Sequence, residues 1–318
     1  MESKLGRRAT SANYPARTLV VTSNQSGVAL IQVLLITTII SLLAIRFTDT
    51  ARNQIDIASK FEDRIRAQLL ARSAINELIF TELSDNVQSI RGNSRELDDL
   101  QSYKARINYW GESFAWGQNI SIMMQDLNGL APQRYPDHPI WRRLLLNLGS
   151  ASEDVDRYLG EFVDIQDPDV RSWRFGDIEP DKTSAGKPYL NGYAQNDMVL
   201  RWVFGESPGL LEKLLDFSDV DSPPRMNILH SPAPLIMALF DREIANTIIN
   251  SRNENALNSL QVNQLLPPDF PPESTGRYTS DSHSITVTAK AGDTVWRERN
   301  IVRLSPRAEA PFSVLSGS

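Results

Sequence analysis

From Val28 to Arg91 the chain contains neither glycine nor proline, so no residue in that stretch breaks a helix. Its first part, residues 28–45, reads VALIQVLLITTIISLLAI, an uncharged run of 18 residues. That is just long enough to cross a bilayer as a helix. Lys4, Arg7, Arg8 and Arg17 precede it against a single acid, Glu2, whereas Arg46 and Arg52 beyond it are balanced by Asp49 and Asp56. The bias predicts a cytoplasmic amino terminus and a translocated remainder. An ordinary cleaved signal would end in small residues after the apolar run; here AIRFTDT follows, with no Ala-x-Ala pattern. A plain signal anchor stays open on hydropathy.

The stretch beyond the apolar run adds a second constraint. Ile55, Ala58, Phe61, Ile65, Leu69, Ile75, Ile79 and Leu83 recur at steps of three or four with one double step, the period of one helix face. Asp56, Lys60, Asp63, Arg64, Arg66 and Glu77 fall elsewhere around the helix. The pattern predicts one helix that leaves the membrane unbroken and ends near Leu83. At about 1.5 Å per residue it would be roughly 80 Å long.

Composition narrows the rest. The 318 residues are 41% hydrophobic and 23% charged, enough to build a core, and the net charge of −6 argues against a nucleic-acid partner. Without cysteine there are no disulfides or thiolate metal sites. The three histidines, His138, His230 and His283, have no zinc-ligand spacing and read as surface or structural residues.

After a polar loop at 84–101 with Gly92, strand-like runs are expected at Tyr103–Trp110 and Asn119–Gln125. Two more follow at His283–Ala289 and Trp296–Leu304, joined across Gly292. Between the two pairs the pattern is helical, at Trp141–Leu148, Leu210–Phe217, Pro232–Phe240 and Ile244–Arg252. Pro267, Pro268, Pro271 and Pro272 then form a stiff connector. The expectation is therefore α+β: a long amino-terminal helix on a small antiparallel sheet (100–129 and 273–305), with a mainly α-helical domain inserted at 130–265. Residues 306–318 read as a tail.

Gly27 followed by Val28, at the head of Ser26-Gly27-Val28-Ala29-Leu30-Ile31, resembles the processing site of the type IV pilin and pseudopilin superfamily. The resemblance implies a leader of residues 1–27, removed by a prepilin peptidase on the cytoplasmic side. Basic residues usually stand just before that glycine, whereas Asn24, Gln25 and Ser26 stand here. Most members carry glutamate at the fifth mature position, where a carboxylate in lipid pairs with a neighbouring subunit's amino terminus; this chain has Gln32. A subunit lacking the glutamate is expected at a filament tip, although Gln32 also reads as a tolerated polar residue in an anchor.

Later segments resemble one branch, the large minor pseudopilins of type II secretion, general secretion pathway protein K. Asp126-Leu127-Asn128-Gly129 is similar to that family's Asp-x-x-Gly, where a strand leads into the insertion. Asp164-Ile165-Gln166-Asp167-Pro168-Asp169 is similar to its aspartate-rich segment, with isoleucine in place of tryptophan. Met226-Asn227-Ile228 resembles its Ile-Asn-x-Asn-Thr-Ala stretch, and Arg252 falls where an arginine closes the following helix. The order of these motifs along the chain is their most specific property.

The resemblance implies I- and J-type minor subunits, the major pseudopilin and the prepilin peptidase as partners, with secreted substrate or the secretin as further contacts. It also implies calcium in the inserted domain. Asp164, Asp167 and Asp169 have the spacing of hard-cation ligands in a loop, and equally that of a solvated acidic turn. Phe61, Ile65 and Leu69 are expected to pack against helices of other subunits. No nucleophile elbow, phosphate-binding glycine loop or His-Glu-x-x-His helix is present, so no catalytic role is expected. Gly205–Phe217 and Leu239–Arg252 faintly resemble helix-hairpin-helix units, but Phe204–Asp221 holds more acid than base. A minor pilin of a surface type IV pilus, or an uncleaved membrane-anchored periplasmic binding protein, are the alternatives.

Overall fold

The computed structural model describes residues 25–91, 107–136, 138–173, 176–178, 186–253, 259–268, 270, 275–276, 278–305 and 309–317. Two compact units are distinguished, Met1–Ser59 and Lys60–Ser318. Helix α1 runs Gln25–Arg91 without a break. It outruns the expected end at Leu83 because Ser84–Arg91 also lacks a breaker. The first unit's described part is α1 from Gln25 to Ser59, exposed from Val28 onward except at Ala51. Among the described residues this is the one helix long and apolar enough to cross a membrane.

In the second unit α1 packs on a five-stranded sheet. The strands are β1 (Trp110–Gly117), β2 (Ile120–Asp126), β5 (Ser282–Ala291), β6 (Thr294–Leu304) and β7 (Phe312–Gly317), and every neighbouring pair is antiparallel. Ala71, Ala74, Ile75, Leu78 and Ile79 supply the helix side of this core. Their i, i+3, i+4, i+7, i+8 spacing makes one stripe, and the alanines let the backbone approach the sheet closely. Alternate residues of the strands face them: Ile122 and Met124, Ile285, Val287 and Ala289, Val302 and Leu304. Polar contacts lock the margins. Trp116 Nε1 donates to Glu77 at 3.0 Å, and the Arg64 guanidinium lies over the Trp296 ring. Gly292, at φ +54° in the two-residue β5–β6 turn, sits against the Asp63 carboxylate, where a side chain would collide.

The strand expectations hold for β2, β5 and β6 and fail twice. Of the run expected at Tyr103–Trp110, Ile107–Tyr109 is not strand and residues 103–106 lie outside the described set; β1 begins at Trp110 and fills the stretch between the two expected runs. Gly111 and Gly117, both at positive φ, sit within a strand that bulges at each end, so glycine marked bulges and not a loop. The expected tail contains β7, which completes the sheet beside residues 300–304 of β6.

The insertion leaves after β2 and returns before β5, two strands that pair directly, Asp126 opposite His283. It has its own core. Helices α2 (Pro139–Asn147), α3 (Ser152–Asp164), α4 (Met198–Phe204), α5 (Pro208–Phe217), α6 (Ala233–Leu239), α7 (Arg242–Asn253) and α8 (Ser259–Leu265) surround Trp141, Phe162 and Phe204. A two-residue parallel ladder, β3 (Ala131–Pro132) with β4 (Ser218–Asp219), ties its start to its middle. Helix α3 was not among the expected helices, so Asp164 ends a helix where a loop was anticipated.

Candidate functional site

Two regions carry the residues singled out by sequence: the exposed surface of α1 and the seam where insertion meets sheet. On α1, Gly27 lies in the first turn and Val28 and Gln32 are exposed within the apolar run. Phe61, Ile65 and Leu69 are 63%, 41% and 62% exposed. The single apolar face expected from Ile55 to Leu83 is thus two. Ile75 and Ile79 belong to the buried stripe begun by Ala71, whereas Leu69, reached from Phe61 by steps of four, lies on the side opposite Leu78.

At the seam, three motifs far apart in sequence come together. Asp126, the last residue of β2, is wholly buried and caps the 3-10 turn Leu127–Gly129 by accepting the Asn128 N–H. Its Oδ2 lies 2.5 Å from His230 Nδ1, at the end of a second 3-10 turn, Ile228–His230. The Ser280 N–H and hydroxyl donate to the same carboxylate from the segment leading into β5. Burial pushes the Asp126 pKa up, but the bond to His230, the charges of His230 and His283 and the Ser280 hydroxyl outweigh it and hold it below the ordinary value. Around this centre, Gln125 Nε2 donates to the His230 carbonyl, the Asn227 N–H to the Asn128 carbonyl, and Asn128 Nδ2 to the Tyr278 carbonyl. Gly129 passes so close to the His230 carbonyl that any Cβ there would overlap it.

Arg252, closing α7, fastens the same seam from behind. It is 4% exposed, donates from Nη1 to the Ser231 carbonyl at 2.6 Å, and lies 4.5 Å over the Trp110 ring of β1. Burial lowers its pKa to about 10 despite the Glu112 carboxylate, 3.7 Å away. Sequence reasoning marked Asp126, Gly129, Asn227 and Arg252 as motif residues without bringing them together. It read His230 and His283 as surface or structural residues and did not name Ser280. Their one signal was polar chemistry at the end of a strand or turn.

The aspartate segment behaves differently. Asp164 accepts the Trp173 N–H at 2.7 Å and Asp169 the Arg171 N–H at 2.7 Å. Burial raises the pKa of both Asp164 and Asp167, and the negative charge of Asp169 adds to it in each case. The three carboxylates therefore repel one another. Among the described residues, however, no group of three or more carboxylate or imidazole side chains converges to hold a metal. Asp167 Oδ1 is buried without a hydrogen-bond partner. A cation there would have to take further oxygens from backbone or water, so these side chains alone do not make a calcium site.

No family model matches the chain, and no curated protein matches it. Among solved structures it is similar to one chain of the GspK-GspI-GspJ complex of the type 2 secretion system from enterotoxigenic Escherichia coli. The match has a TM-score of 0.49 and 14% identity, over 80% of this chain and 98% of that one.

Proposed function

We propose that this chain is a minor pseudopilin of type II protein secretion, held in the inner membrane with its amino terminus in the cytoplasm and its sheet and insertion in the periplasm. The observation that carries the reading is α1: one unbroken helix, exposed and apolar in its first part, that continues beside an antiparallel sheet interrupted by a helical domain. A helix of that kind suits a filament in which subunits pack side by side through their apolar portions. The exposed Phe61, Ile65 and Leu69 extend the packing surface, each contributing about 1.5–3 kcal/mol if fully covered by a neighbour.

The role is mechanical and not catalytic. Gln32 leaves the subunit without the carboxylate that would recruit a preceding amino terminus, which suits the tip of the pseudopilus, joined to I- and J-type subunits and starting assembly above the major pseudopilin. Contact with secreted substrate or the secretin belongs to the same reading. Calcium at Asp164, Asp167 and Asp169 is the cofactor to test, with the repulsion among the three as its motive.

Processing at Gly27 tests the proposal. Replacing Gly27 by a bulky residue leaves full-length precursor on a gel, while the unchanged chain yields a product beginning at Val28. Membrane-extracted protein that still starts with Met1, or normal processing of the variant, overturns the reading in favour of an uncleaved anchor.

A further inference from the structure

The carboxylate at the seam is surrounded by titratable rings that a merely structural cap does not need. His230 stacks on Tyr109 with ring centroids 5.3 Å apart, and Tyr109 lies 5.9 Å from His283. His283 faces Asp126 across the β2–β5 ladder, is 3% exposed, and has no well-formed hydrogen bond on either ring nitrogen. One buried carboxylate thus serves two imidazoles, one of which belongs to the insertion and the other to the sheet. We propose that Asp126, His230 and His283 form an acid-released latch that holds the inserted domain to the sheet near neutral pH and loosens it below.

The elements around the latch contribute other charges. Tyr109 comes from the approach to β1, and its hydroxyl donates to Glu82 of α1 at 3.1 Å. Asp281 comes from the approach to β5 and favours a protonated His283. Behind the turn Ile228–His230 stands Arg252, with Glu112 of β1 beside it. Burial, with a smaller contribution from His230, holds the His283 pKa below its usual value against the pull of Asp126 and Asp281.

The sign follows from linkage. A histidine with a lowered folded pKa is neutral in the fold, so its contribution is complete above the unfolded value near 6.5 and is lost as pH falls below it. Asp126, with a lowered pKa, contributes above about 3.8 and is lost only as pH falls through that lower range. Between the two ranges His283 acts first. Its protonation places a charge on a ring that is 3% exposed and has no well-formed hydrogen bond to carry it. The cheapest relief is separation of the turn Ile228–His230 from Asp126, because the insertion keeps its own core around Trp141 and Phe162.

Hydrogen exchange on the full chain in detergent tests this, with protection factors at the seam amides of Asn128, Asn227 and Ser280 compared with those of α2 and α3. From about pH 7.5 to about pH 5.5 the seam should lose about tenfold in protection while α2 and α3 keep theirs. The variant His283→Gln, which keeps a polar side chain but cannot titrate, should hold seam protection constant over the same range. Unchanged seam protection in the wild type, the same loss in His283→Gln, or a loss shared equally by α2 and α3 each overturns the latch.

Discussion

Gly129→Ala is the smallest change that tests how the seam is built. The added Cβ would overlap the His230 carbonyl and come within 2.8 Å of Gln125 Nε2. The His230 peptide must then retreat by roughly 1 Å to restore ordinary contact, and inserted atoms in a packed site cost about 1–3 kcal/mol. That retreat stretches the 2.9 Å bond from Gln125 to the His230 carbonyl and the short bond between His230 and Asp126. A neutral hydrogen bond is worth about 1 kcal/mol and one to a charged group about 1.5–3. Losses of this kind overlap, and about 4 kcal/mol is the expected total. At roughly 2–4 °C per kcal/mol, the insertion should melt about 12 °C lower in scanning calorimetry of the full chain in detergent. Gly209→Ala is the control: nothing lies within 4 Å of a Cβ there, in the first turn of α5. Alanine in that open helical position should leave Tm unchanged or raise it by about 1–2 °C. If Gly129→Ala melts like Gly209→Ala, the close approach described at the seam is wrong.

The two sides of α1 should separate stability from assembly: Leu78→Ala should cost about 3 kcal/mol, read as a lower denaturation midpoint. Leu69→Ala should cost under about 0.5 kcal/mol and instead weaken co-purification with partner subunits, and equal losses of stability would refute the assignment of faces. Because the folded state raises the pKa of Asp167, its ionised form opposes folding at neutral pH, so Asp167→Asn should raise Tm at pH 7 without calcium, a gain that vanishes once the pH falls below the carboxylate range. Should calcium bind this segment, it will raise Tm of the wild type and not of the variant; a variant that melts lower in chelator contradicts the repulsion.

The parts of the fold legible in sequence are those fixed by local chemistry. The absence of breakers announced α1, and alternation announced β5 and β6. Helix α3 carried a readable stripe, Val155, Tyr158, Leu159, Phe162 and Val163, but its acidic residues and Gly160 gave it the look of a loop. Strand β7, with no charge and only six residues, offered too short a period to stand out from a tail. The apolar residues of α1 were legible as helical, but which of them meet the sheet depends on where the strands lie, and periodicity alone merged two stripes. The seam was the least legible. Asp126 meets His230 and Ser280 across 104 and 154 positions, and nothing local in either segment announces the other. Motif order kept the right residues in view while leaving their geometry to the tertiary structure.

The pairing of β2 with β5 also sets an order of events for the growing polypeptide. Bringing those two strands together first, with the intervening segment still a random coil of about 150 residues, would cost several kcal/mol in closure entropy before any ladder bond formed. An intervening segment that has already collapsed around its own aromatic cluster presents two ends that start near each other, and most of that cost disappears. The sheet is therefore expected to be the last part to close, its completion waiting on a domain that the ribosome delivers in between.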